Sequence, residues 1–275
     1  MCIRDRICSH AGALRYSLYL DLEYLSKKLE FTLAPAGRYV RELRRCKTNE
    51  ELDALEQSVK ATLDIIDELC SRQIIKPGKT EREVSAEIYR EIYLRGEPSF
   101  HPIVASGENT ANPHHIVSDR KIKSGDIVYI DLGVRSLTMS ADITRVFAIG
   151  TLKNEVNRLY QIVYEAQRAA IDSIKPNIEC SKPDMVAREI MKKHNIDPKL
   201  FKHSLGHPLG VDVHDVGPAL SEKNTDEKIL PYTAYTVEPA IYIEDKYGIR
   251  IEDDIVILED KVLRLSKAPE ELITL

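Results

Sequence analysis

A chain of 275 residues is long enough for one large core or two modest ones. With 43% hydrophobic and 30% charged residues it can bury a core and stay hydrated. Its net charge of −5 gives no electrostatic reason to expect nucleic acid or an anionic membrane as partner, and no apolar run approaches the ~20 residues of a spanning helix.

The N-terminus carries Arg4, Asp5, Arg6 and Arg15 without a clean apolar stretch, which argues against a signal peptide. Cys2, Cys8, Cys46, Cys70 and Cys180 are odd in number, scattered and free of any CxxC pair. That pattern speaks against a disulfide framework or a thiolate zinc site and fits a reducing cytoplasm. Residues 1–46 are rich in Arg, Leu and Tyr. They predict a helix near 14–29 and then a break at Ala34-Pro35-Ala36-Gly37, and read as an N-terminal arm too short to be a domain.

From Thr48 the signals are orderly. Thr48 with Glu51 forms a capping-box start, and Leu52, Leu55, Val59, Leu63, Ile66 and Leu69 follow at helical spacing. Pro77-Gly78 breaks the chain, and Thr80 with Glu83 opens a second helix to about Arg95. Two further helices are expected over 153–174 and 182–194. Strand signals fall at 101–106, 127–133, 139–149, 236–243, 248–257 and 261–265. Two helices then strands, twice over, predict a duplicated α+β plan across 47–275.

The densest chemistry lies in HSLGHPLGVDVHD, residues 203–215, where His203, His207 and His214 accompany Gly206 and Gly210. Imidazole is the commonest metal ligand and the side chain most readily used for proton transfer near neutral pH. Carboxylates elsewhere answer it. Asp131 sits in the apolar strand DIVYIDLGV, where burial is costly without a partner. Asp142 lies on the next strand, and a hairpin turning near Ser136-Leu137 sets the two acids directly opposite, roughly 5 Å apart at Cβ. Such a pair repels, and a divalent cation offsets the repulsion. Glu238 in TVEPAIYI and Glu252 in GIRIEDDIVI form a second acidic pair on a hairpin with a longer turn. Four carboxylates and one imidazole suffice for two divalent ions. An oxygen-rich set without Cys favours harder ions, manganese before a thiolate-type zinc. Alone, each element has an ordinary reading: a hydrogen-bonded strand Asp, a Glu at a strand end before Pro239, surface histidines at His10 and His194. Their joint occurrence carries the argument.

DLGV with Asp131, ADITR with Asp142, HSLGHPLGVDVHDVG, TVEPAIY and GIRIEDDIVI together resemble the pita-bread metallopeptidases, the family of methionine aminopeptidase, aminopeptidase P and prolidase. The likeness runs from about Cys46 to Ile273, and VDVHDVG and GIRIEDD are similar to the Xaa-Pro branch. The resemblance implies an α+β pita-bread (creatinase/aminopeptidase) fold, with pseudo-twofold duplicated helices packed on curved antiparallel sheets. It implies a peptidase whose substrate has proline at the second position, using two divalent metal ions: Mn2+ first, with Co2+, Zn2+ or Fe2+ as alternatives. Asp131 would chelate one ion, Asp142 and Glu252 would bridge both, and His207 with Glu238 would hold the second. His114, rather than His115, matches the substrate-facing histidine. His203 and His214 match those that bind substrate and steady the tetrahedral intermediate, Glu238 a proton shuttle, and Arg250 an arginine behind the bridging carboxylate. A metal-bridging hydroxide would attack the scissile carbonyl. The resemblance allows a homodimer and leaves three alternatives: a methionine aminopeptidase, a metal-free enzyme of the creatinase type and a non-catalytic binding relative. Two departures stand out. Only about 46 residues precede the catalytic match, where Xaa-Pro enzymes usually carry a whole N-terminal domain. Pro231-Tyr232 also stands where the family has Pro-Gly.

Overall fold

The computed structural model describes residues 15–34 and 37–275, so His10, Cys2 and Cys8 lie outside the described residues. Two compact units divide the chain, Met1–Cys46 and Lys47–Leu275. In the first, helix α1 covers Tyr16–Leu29 and a second helix, α2, not expected from the sequence, runs over Gly37–Arg45; Pro35 and Ala36 of the expected break lie outside the described residues.

The second unit begins as its caps require. Thr48 and Thr80 each accept a hydrogen bond from the amide three residues on, and the Glu side chains at those positions answer the Thr amides at 2.8 Å. These boxes start α3, Asn49–Ser71, and α4, Glu81–Tyr93. The other two helices are α5, Asn154–Ser173, and α6, Ser181–Lys193. The strands are β1 (Glu97–Pro98), β2 (Ile103–Ser106), β3 (Ile127–Leu132), β4 (Val134–Ser136), β5 (Met139–Ser140) and β6 (Ile143–Ala148). After the second helix pair come β7 (Thr233–Val237), β8 (Ala240–Ile243), β9 (Tyr247–Arg250), β10 (Asp253–Ile257), β11 (Val262–Arg264) and β12 (Ile273–Thr274). They form sheets ordered β12-β6-β3-β2, β1-β4-β5, β11-β10-β7 and β8-β9.

Each half therefore holds a helix pair and a long hairpin. Apolar side chains of α3 and α4 pack with β3 to β6 into one core, and those of α5 and α6 with β7 to β10 into another. Both hairpins are interrupted at the same relative place. In the first, the β3–β6 ladder stops at Leu132 opposite Ile143 and resumes as β4–β5, leaving Gly133, Ala141 and Asp142 in the gap. In the second, β7–β10 stops at Val237 opposite Asp253 and β8–β9 resumes at Ala240 opposite Arg250.

The register corrects the expected opposition of Asp131 and Asp142. Asp131 faces Thr144, because the turn is Leu137-Thr138, with Ser136 opposite Met139. Leu137 takes the left-handed φ of 56° that such a tight turn demands. The displacement is two residues, and side chains alternate with period two, so Asp131 and Asp142 remain on one face as diagonal neighbours. Tyr232, where the resemblance leads one to expect glycine, has φ 60°, so a side chain stands in left-handed backbone.

Candidate metal centre and peptide site

The second hairpin contributes two carboxylates at one spot. Its register is the same on either side of the break, which sets Glu238 opposite Glu252. The imidazole arrives on an extended segment along β7. Thr236 N donates to His207 O at 3.0 Å, His207 N donates to Thr236 Oγ1 at 3.1 Å, and Leu209 N bonds Ala234 O at 3.0 Å. Gly206 makes this approach possible, because a Cβ there would lie 1.9 Å from Thr236 O.

The donor atoms converge in overlapping groups. Asp131, Asp142 and Glu252 bring ligand atoms within 4.8 Å of one another, as do His207, Glu238 and Glu252. Glu252 belongs to both. His207 Nδ1 lies 3.1 Å from Pro208 O, which turns Nε2 inward, 3.4 Å from Asp142 Oδ2 and 3.8 Å from Glu238 Oε1. A third group joins Asp142, His207 and His214, whose ring centroid is 4.1 Å from that of His207.

These residues fit a pair of cations. Asp131 Oδ1 and Asp142 Oδ1 are buried with no hydrogen-bond partner, a costly state for a carboxylate unless a cation meets it. Burial pushes the carboxyls of Asp142 and Glu252 well above the usual range, and each is raised further by the other acids around it. Burial also lifts Glu238, to about 7, against the opposing pull of His207 and Arg250. The protein alone leaves this charge unbalanced.

Arg250 is the cation the chain does supply. It is buried, donates from Nη2 to Asp131 Oδ2 at 2.5 Å and from Nε to Thr144 Oγ1 at 3.0 Å, and reaches Pro113 O at 3.1 Å and Tyr242 Oη at 2.9 Å through Nη1. Thr144 passes its own hydrogen to Glu252 Oε2 at 2.7 Å. Asp142 is held from behind, its amide donating to Asp254 Oδ2 at 3.0 Å.

His114, His203 and His214 share one cavity of about 520 Å³ with the five candidate ligands, Asp131, Asp142, His207, Glu238 and Glu252, and with Arg250. His203 Nε2 lies 3.1 Å from Tyr242 Oη and its Nδ1 2.8 Å from Ser204 O. Burial, then Arg250 and His114, hold its imidazole down at about 4, and His214 is lowered to about 4 by burial and by the neighbouring His207 and His114. Both are neutral near pH 7. His114 lines the cavity, whereas His115 is turned onto Glu81 at 2.7 Å. Tyr242, Thr144, Asp254 and Glu81 were not singled out in the sequence. Thr144 was findable, since it lies two residues beyond Asp142 on the same face; Tyr242 and Asp254 reach the site only through tertiary contacts, and Glu81 only holds the segment that carries His114.

Fold and site together define a metal-dependent hydrolase of pita-bread architecture. The chain belongs to the metallopeptidase family M24, whose sequence pattern it matches over residues 53–259. It is 36% identical over 269 residues to the Xaa-Pro dipeptidase of Pyrococcus furiosus, covering 95% of this chain and 74% of that protein. Among solved structures, the Xaa-Pro dipeptidase from Bacillus anthracis superposes with a TM-score of 0.89 at 32% identity, over 97% of this chain and 73% of that one. The X-Pro aminopeptidase from Thermotoga maritima does so with a TM-score of 0.87 at 32% identity, over 96% and 74%.

Proposed function

We propose that this chain hydrolyses peptide bonds whose nitrogen belongs to proline, as an Xaa-Pro dipeptidase or an aminopeptidase P-like enzyme. The single observation that carries the catalytic reading is the membership of Glu252 in two ligand groups, one with Asp131 and Asp142 and one with His207 and Glu238. The substrate class is supported by the names of relatives that match 95% of the chain. Asp131, Asp142, His207, Glu238 and Glu252 would hold two divalent ions, with Mn2+ proposed because the donors are mainly carboxylate oxygens with one imidazole and no thiolate. Such a pair lowers the pKa of a shared water and polarises a carbonyl oxygen.

The chain's own residues do the rest. Glu238 receives and returns a proton at its carboxylate, whose Oε2 lies 3.7 Å from His203 Nδ1. Tyr242 Oη accepts from Arg250, so its hydrogen points to His203 Nε2, which keeps that ring in the Nδ1–H tautomer. His214, neutral and exposed at the cavity, offers a hydrogen bond to the carbonyl oxygen as charge develops on it. His114 and Pro113 form the wall against which the peptide lies. A cytoplasmic location is proposed with this, supported by Cys46 and Cys70, neither of which is joined in a disulfide among the described residues.

The test is a metal-reconstituted assay of Ala-Pro, Ala-Pro-Ala and a Met-Ala peptide. Chelator-treated protein is expected to be inactive, and Mn2+ to restore cleavage before proline. Cleavage of the Met-Ala peptide alone would move the protein to the methionine aminopeptidase reading. A folded sample that takes up no metal and cleaves none of the three overturns the proposal.

A further inference from the structure

Glu81 opens the first turn of α4 and is wholly buried. Its carboxylate receives six contacts, all from one segment, residues 106–118. Oε1 accepts from Ser106 N at 2.8 Å, Ser106 Oγ at 2.7 Å and Asn109 Nδ2 at 2.9 Å. Oε2 accepts from Ser118 N at 3.0 Å and Ser118 Oγ at 2.6 Å, and His115 Nε2 lies 2.7 Å away. The start of the helix reinforces this: Glu81 N donates to Arg120 O at 3.1 Å and Arg82 N to Ser118 O at 3.2 Å.

The segment gathered by this carboxylate carries Pro113 and His114 into the catalytic cavity. Two consecutive histidines are thereby divided in purpose. The ring of His115 is tied to Glu81, and His114 stands at the peptide site. Both ends of the loop, at Ser106 and Ser118, meet on one side chain, so the reach of the intervening residues is set from α4.

We propose that Glu81 is a positioning residue for the peptide site, fixing His114 against the substrate through Ser106, Asn109, His115 and Ser118. It touches neither substrate nor metal ligand. Misplacing a binding group by about 1 Å can cost on the order of a hundredfold in rate, so the loop's anchor bears on catalysis at a distance. Each carboxylate oxygen receives one backbone N–H, from Ser106 or Ser118, that cannot rotate away. Glutamine in either orientation therefore points its NH2 at a backbone donor.

For its kinetic arm the proposal rests on the Xaa-Pro reading above. The experiment compares wild type, Glu81→Gln, the milder Ser118→Ala and the control Asp119→Asn in full-length protein, each checked for folding and Mn2+ uptake. Asp119 forms an exposed pair with Arg82 and is expected to leave the kinetics unchanged. Glu81→Gln is expected to take up Mn2+ as wild type does, while kcat/KM for Ala-Pro falls roughly tenfold to a hundredfold, mainly through KM. Ser118→Ala should fall in the same direction by less. In the metal-free proteins, the His114 ring NMR signal should move in Glu81→Gln and stay in place in Asp119→Asn. Unchanged KM and an unmoved His114 signal in a folded Glu81→Gln protein overturn the proposal. If wild type leaves Ala-Pro intact, the reading of function falls, and the His114 signal alone then decides the positioning claim.

Discussion

Glu238 and Glu252 face each other across the break in the second hairpin, one carboxylate from each strand, at the point where the β7–β10 ladder has ended and the β8–β9 ladder has not begun. Asp142 occupies the matching break in the first hairpin. Strand interruptions free side chains and backbone from the regular pleat, and here they do so at the two places where the acids must converge.

The acids make metal-free protein sensitive to pH. The Glu238 carboxyl, raised by burial to about 7 in the folded state, ionises near 4.5 when unfolded. Between these values the folded protein holds more protons than the unfolded one, so stability should fall as pH rises from about 4.5 to about 7. Asp142 and Glu252 push in the same direction. Mn2+ should reverse the trend, raising Tm more at pH 7.5 than at pH 5, where protons compete for the ligands. Thermal scans with and without Mn2+ check this; equal metal effects at both pH values would refute it.

Arg250 joins Asp131, Thr144, Tyr242 and the Pro113 carbonyl. Lysine cannot reproduce that fork. Arg250→Lys is expected to weaken Mn2+ binding roughly 10- to 100-fold, as loss of a residue that orients metal ligands usually does. Calorimetric titration with Mn2+ measures it, and wild-type affinity in the variant would contradict the role.

Tyr242→Phe keeps the buried ring and deletes only the hydroxyl between Arg250 and His203. The lost hydrogen bonds should cost about 1–3 kcal/mol of stability. Activity should fall while Mn2+ affinity stays near wild type, because no ligand is touched. Denaturant melts, calorimetry and kcat/KM separate the three.

Gly206→Ala would drive a methyl group to within 1.9 Å of Thr236 O. Overpacking of this kind typically costs 1–3 kcal/mol. The segment carrying His207 must shift, so metal uptake should decline along with Tm. A variant with wild-type uptake would show that the close approach is not needed.

Tyr232→Gly should be tolerated and should stabilise the protein by about 1 kcal/mol. A residue other than glycine at φ 60° carries a penalty of roughly 1–2 kcal/mol, partly offset by glycine's greater entropy in the unfolded chain. Denaturant midpoints decide the sign.

Much of this protein was settled by its sequence alone. Thr48 and Thr80 announced two helix starts through short-range capping chemistry, apolar periodicity located four helices of the second unit, and the motifs around Asp131, His207 and Glu252 named the family. These signals are local, each needing only a few residues to be read. The strand register was not local. The displacement of Asp131 to face Thr144 depended on a two-residue turn at Leu137-Thr138, which side-chain alternation cannot distinguish from a turn one residue earlier, because that shift moves each cross-strand partner by two. Tyr242 behind His203, Asp254 behind Asp142 and Glu81 beneath the His114 loop were likewise invisible, since ordinary buried residues gain a role only through what folding sets against them. Sequence named the candidate ligands; tertiary structure decided how they are aimed, because aiming is done by hydrogen bonds between residues far apart in the chain, such as Arg250 and Pro113, 137 positions apart.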